Sequence, residues 1–357
     1  MSSFKKYFSY HFKTTLVRLL IMLGIALLLT FTFTSIMVHE EHMYDYNTYP
    51  RTEFVGMYAG GNIGLVGWIA AICAMVLPVL ELLPFKNKRN MDTLLSLPVG
   101  RGRLVFAHYL NGLIHMAIVL FGSFSLVAIK MIPYAYVFEI WMLIPFYLML
   151  LLVSAILYSF FAFIFSVANT IADGIVWMHI YPILPVLSVQ TLYEITDKYP
   201  SSAPSAILFT PFYHFYQVTY KYCRYIVPAI RFDKEEGLDK IYSISCTEIS
   251  FKNEEIIALV LWTLIAVACV AGLVLCFRRQ RIENLGGISS SPFGYMSLIP
   301  IMSATLVLLS LHTALLVIFT FVWYIVYRRG FRFKIPDIIV MGTTLVASIV
   351  ENIIRAL

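Results

Sequence analysis

Long apolar runs alternate with short polar breaks along almost the whole chain. A helix crosses a bilayer on about 20 mostly apolar residues, because no water is present to satisfy its backbone N–H and C=O groups. Runs of that kind lie at about 16–38, 54–83, 104–129, 140–167, 175–193 and 256–277. They predict an all-α polytopic membrane protein whose core, residues 16–285, has six transmembrane helices, with a short cytosolic helix after the second. Residues 286–357 form an additional region of two or three spans. Within it, 293–327 is too long for one ordinary span and short for two, so a tight hairpin turning near His312 is expected, with one long tilted helix as the alternative. A last apolar stretch covers 338–354.

The breaks carry the finer signals. Residues 1–15 mix Lys5, Lys6 and Lys13 with Phe4, Tyr7, Phe8, Tyr10 and Phe12, and Arg18 follows, which predicts an amphipathic helix on the cytosolic membrane surface. No small-residue cleavage site follows the first apolar run, so this is not read as a cleaved signal peptide. The loop after the first span, with Glu40, Glu41, Asp45 and Glu53 against Arg51, is acidic and belongs outside. His39 and His42 there are one residue short of zincin spacing, so a solvated loop is expected and no metal site. Gly56, Gly60 and Gly64 recur every four residues. On a helix they make one stripe for close packing, the alternative being a locally weak helix.

A basic island at 84–103 separates the second and third spans. Asn90 is a candidate N-cap, Asp92 falls in the first turn, and Pro98 stops the helix. Met91, Leu94 and Leu95 then share one face, beside Lys88 and Arg89. Two readings stand: a docking helix for a cytosolic partner, or a helix lying passively among headgroups. The link 168–174 offers room for a second, smaller contact. Pro182 and Pro185 break the fifth span, as a kinked packing helix or one lining a pathway. Residues 194–255 are the one long polar region, slightly acidic and placed outside, with an interfacial or re-entrant segment at 207–222.

Composition narrows the class. The chain has 357 residues, is 60% hydrophobic and 13% charged, and carries a net charge of +6. Nucleic acid is not implied. Of five cysteines, Cys73, Cys269 and Cys276 lie in apolar runs as packing residues, and Cys223 and Cys246 share the outer region, where a disulfide is open. There is no P-loop, no G-x-S-x-G and no H-E-x-x-H, so no catalytic residue is assigned. Few charged residues fall deep inside the first six spans, which argues against an ion-driven carrier.

With the basic N-terminal helix and the sequence from Glu81 to Pro98 and Arg101, residues 1–285 resemble the membrane subunit of type 2 ATP-binding-cassette exporters. The likeness is nearest to the Gram-positive group associated with peptide-antibiotic (bacitracin-like) resistance and cell-envelope stress. The resemblance implies that the loop after the second span holds a coupling helix, with Asn90, Met91, Asp92, Leu94 and Leu95 touching an ATPase and Lys88 and Arg89 flanking. It implies that the second and fifth spans line the pathway, giving the glycine stripe and the Pro182/Pro185 kink a shared setting. It further implies a cytosolic P-loop ATPase partner, a second permease subunit, identical or related, and no cofactor on this chain, ATP and Mg being held by the ATPase. The expected setting is the bacterial plasma membrane, with the N-terminus cytosolic and an amphipathic or peptide-like compound exported. The rival readings are a secondary transporter, an intramembrane enzyme, and a scaffold or sensor in an envelope-stress system.

Overall fold

The computed structural model describes residues 3–44, 53–134, 138, 140–195, 210–226, 230–233, 240–243, 249–279, 286–287, 293–308 and 313–356. Its helices are α1 Ser3–Thr14, α2 Leu16–Phe33, α3 Leu65–Leu82, α4 Lys88–Leu95, α5 Arg101–Met131, α6 Leu143–Val167, α7 Ile171–Ile180, α8 Leu184–Ile195, α9 Pro211–Ile226, α10 Asn253–Arg279, α11 Tyr295–Leu308, α12 Thr313–Arg328 and α13 Ile335–Ala356. Strands β1 Ser35–Tyr44, β2 Glu53–Asn62, β3 Ile230–Asp233 and β4 Lys240–Ser243 make one small antiparallel sheet in that order. Among the described residues, seven helical segments are long and apolar enough to cross a membrane: 16–33, 65–86, 101–134, 140–167, 171–190, 253–279 and 335–353. The chain is an all-α polytopic membrane protein, and the first six segments are the six expected core spans.

Two boundaries differ from the sequence reading. The first span stops at Phe33, and the stretch holding His39 and His42 is strand β1 rather than a loop. Lys130 explains the stop: its ammonium donates to the carbonyls of Phe31 at 2.6 Å and Thr34 at 2.9 Å, closing the end of α2 where a cation also opposes the helix dipole. The second span begins at Leu65, so the glycine stripe is not helical. Gly56 and Gly60 lie in β2, paired with Glu41 and Met37 of β1, and Gly64 sits in the turn before α3. Within α3 it is Gly67 that admits a close neighbour: a Cβ there would come within 2.5 Å of the Thr219 hydroxyl on α9.

By contacts the chain divides into two compact units, Met1–Leu77 with Leu110–Tyr158 and His214–Leu259, and Pro78–Tyr109 with Ser159–Tyr213 and Val260–Leu357. In the first unit the α1–α2 corner is held on α5 by Asn111, which donates to the Thr15 hydroxyl at 3.1 Å, and by Phe12 tilted against the His115 ring. The polar segment expected at the interface contains α9, whose Tyr222 stacks on Phe146 at 5.2 Å. Lys221 of α9 pairs with Glu255 at 2.5 Å, and the same carboxylate accepts from the Lys252 N–H, capping α10. Cys223 is a free thiol whose burial pushes its pKa up to about 12, so at neutral pH it is not a nucleophile; Cys246 lies outside the described residues.

In the second unit aromatic pairs knit the helices, with Phe160 edge-on to Trp262 and Phe85 edge-on to Phe277. Its C-terminal part is a hairpin of α11 and α12 followed by α13. The Ser303 and Thr320 hydroxyls are 3.2 Å apart between the hairpin arms, and Thr313 and Ser348 hydroxyls meet at 2.8 Å between α12 and α13. At 14 and 16 residues the arms are shorter than an ordinary span, while α13 is of spanning length. The turn expected near His312 lies outside the described residues.

Candidate functional site

The connection from α3 to α5 is built in three steps. After Leu82 the chain tightens into a single 3-10 turn, Leu83–Lys86, with Pro84 near its start, where a missing N–H costs nothing. Asn87 is extended, and its side-chain oxygen accepts from the Arg89 N–H at 3.0 Å, starting α4. The helix ends at Leu95, with Ser96 as its cap and Pro98 beyond. The cap is therefore Asn87 and not Asn90, which sits exposed within the helix, and Asp92 lies past the first turn. Two asparagines three residues apart both satisfy the N-cap rule; the one whose backbone is extended wins.

Side chains on α4 separate sharply. Met91 is completely buried, Leu94 and Leu95 are half-buried, and Lys88, Arg89, Asn90 and Asp92 are exposed. One apolar residue thus seats the helix on its own chain, and the two leucines beside it remain partly open.

What roots this connection is Lys86, which sequence reasoning passed over in favour of Lys88 and Arg89. Its side chain is buried, and the ammonium donates to the carbonyls of Ser166, at 2.9 Å, and Ala168 at the end of α6. It also lies 5.3 Å from the centre of the Phe165 ring. Carbonyls at a helix C-terminus lack intrahelical partners and carry the negative end of the dipole, so a lysine is the fitting donor. Glu81, expected where α3 leaves the membrane, is instead buried with His108 of α5. The His108 Nδ1–H donates to the Glu81 carbonyl at 2.9 Å, and the Glu81 carboxylate is 3.6 Å from the same nitrogen. A carbonyl only accepts, so that nitrogen carries the proton. The His108 ring then meets Phe85 edge-on at 4.6 Å.

The link 168–174 is the third wall. Thr170 caps α7 by accepting from the Asp173 N–H at 3.1 Å. Gly174 faces Phe165 so closely that a Cβ would come within 2.6 Å of the ring. Gly174→Ala is expected to destabilise the protein by about 1–3 kcal/mol through overpacking and to disturb the ring beneath Lys86. Gly24→Ala, with nothing near its would-be Cβ, is the matched control, and thermal unfolding of the two variants checks the difference. Pro182 is buried in the turn that separates α7 from α8, and Pro185 is the second residue of α8, so the fifth span is a broken helix.

The family model described as ABC-2 family transporter protein matches residues 71–282. The chain belongs to this family. As an ABC-2 family protein it is a membrane permease subunit of an ABC exporter, a class that works with an ABC ATPase partner. The matched range takes in the α3–α5 connection, α6, the broken fifth span and α10, and leaves the α11–α13 region beyond it. Comparison with curated proteins and with solved structures finds no match.

Proposed function

We propose that α4 is the coupling helix of this permease: a separate cytosolic P-loop ATPase holds it in a groove, and ATP-driven closure moves it. The observation that carries this reading is the division of labour on α4. Met91 and the neighbouring Lys86 fasten the element to the chain, whereas Leu94 and Leu95, flanked by exposed Lys88, Arg89, Asn90 and Asp92, keep a contact surface open. A push on a helix anchored in that way is transmitted to α6 rather than absorbed by a loose loop.

On this view two permease subunits, identical or related, bind two ATPases in the bacterial plasma membrane, with α1, α4 and the N-terminus on the cytosolic side. ATP and Mg belong to the ATPase. The break at Pro182 and Pro185 frees backbone groups along a pathway between subunits. The exported compound is amphipathic or peptide-like, in line with the bacitracin-like resistance group that the sequence resembles.

A second reading, a secondary transporter, is favoured by one observation, the buried Glu81–His108 pair, since carriers work through buried ionisable groups. Proteoliposomes separate the two. With the ATPase present, efflux of an amphipathic dye or peptide is expected to require ATP and Mg and to survive collapse of the proton gradient. Efflux without nucleotide that disappears in Glu81→Gln is the carrier's outcome and overturns the proposal.

A further inference from the structure

The α6–α7 link is gripped from two directions. From one side come the Lys86 bonds to Ser166 and Ala168. From the other come contacts made by three residues of the C-terminal region, Tyr295, Gly286 and Arg329. The Tyr295 hydroxyl at the start of α11 donates to Asp173 at 2.9 Å, and the Tyr295 ring is edge-on to Trp177 of α7 at 5.4 Å. The Gly286 N–H donates to the Asn169 carbonyl at 3.1 Å. Arg329, in the turn between α12 and α13, donates to the Gly286 carbonyl at 2.9 Å and lies 3.9 Å from the Asp173 carboxylate.

Arg329 is the telling residue. The Gly330 N–H reaches the Ile325 carbonyl and the Arg329 N–H the Val326 carbonyl, the double bond pattern of a left-handed helix end. Arg329 occupies the left-handed position itself, with φ 53°, where glycine is the favoured occupant. A side chain kept at a position that penalises side chains has a use, and here its reach is to Gly286 and Asp173.

We infer that the region α11–α13 is a latch on the α6–α7 link, with Tyr295 and Arg329 as positioning residues, and that through Lys86 it sets how firmly α4 is held. The latch occupies the link that offered room for a second partner contact. Its meaning for transport rests on the coupling role proposed for α4, but its test does not. Asp173 is the common point: it accepts from Tyr295, faces Arg329 and lies in the first turn of α7.

Hydrogen–deuterium exchange on the purified full-length chain in nanodiscs, without any ATPase, reads the latch directly. In Arg329→Gly and in Tyr295→Phe, amides of 168–174 and of 86–95 are expected to exchange about tenfold faster, the scale for loss of one charge-assisted hydrogen bond. Arg332→Ala, an exposed basic residue of the same turn, is expected to leave both segments unchanged. Arg329→Gly also suits the left-handed turn better, so a residue that merely shapes the turn predicts unchanged or slower exchange, and that result overturns the latch. Loosening of 168–174 with 86–95 unchanged overturns its link to α4. Loss of ATPase binding in α4 variants is a separate measurement, so failure of the coupling proposal and failure of the latch are told apart.

Discussion

Replacing Leu94 and Leu95 together with glutamate is expected to abolish co-purification of the permease with its ATPase while leaving the fold intact. Both side chains are half-buried and beside exposed polar residues, so charge at these positions is tolerated by the chain but not by an apolar groove on a partner. Interface anchors of this kind cost about 2 kcal/mol or more each when lost, so the pair should weaken binding by more than about a hundredfold. Met91→Glu is the informative contrast: Met91 is fully buried, so that variant is expected to lose stability before any effect on binding can be read. Undiminished co-purification of the double variant would show that α4 is not the docking element.

The second large effect belongs to Lys86. Lys86→Met keeps the length of the side chain but leaves the Ser166 and Ala168 carbonyls without their donor, at about 1–3 kcal/mol for each buried group orphaned. The expected result is a lowered thermal midpoint and, on the coupling role proposed for α4, ATP hydrolysis that no longer drives export, because α4 is no longer tied to α6. Lys88→Met removes the same formal charge from an exposed position and is expected to change stability by no more than about 0.5 kcal/mol. Equal behaviour of the two lysine variants in unfolding and in transport would reduce Lys86 to one more surface charge.

How much of this could be read from the chain depends on how local each determinant is. The apolar spans were legible because twenty consecutive residues carry one message. The glycine repeat was misread because a spacing of four fits both periods: residues four apart share a face of a helix and also a face of a strand. What decided it was the neighbours, Val55, Met57 and Tyr58, which favour an extended chain, and the pairing of β2 with β1. Helix α4 was found, but its start was set at Asn90 rather than Asn87, since two capping residues stood within one turn. Lys86 and Tyr295 were out of reach for another reason. Their partners lie 80 and 122 positions away, and nothing in the local pattern names a carbonyl or a carboxylate at that distance. His108 was missed because a single histidine in an apolar run has no spacing to mark it.

Lys86 and Lys130 share one trait with a consequence for membrane orientation. Each closes the carbonyl end of a helix that is distant in sequence, Lys86 on α6 and Lys130 on α2. An ammonium held in this way is not offered to anionic lipid headgroups, so neither lysine should count in the tally of flanking charge that orients a chain. Without them six basic residues, Lys88, Arg89, Arg101, Arg103, Arg278 and Arg279, border the end of α3, the start of α5 and the end of α10, which meet at one face by chain order, whereas Lys252 borders the other end of α10. The charge asymmetry is thus cleaner than the raw sequence suggests, and a lysine at the opposite end of α5 poses no conflict with it.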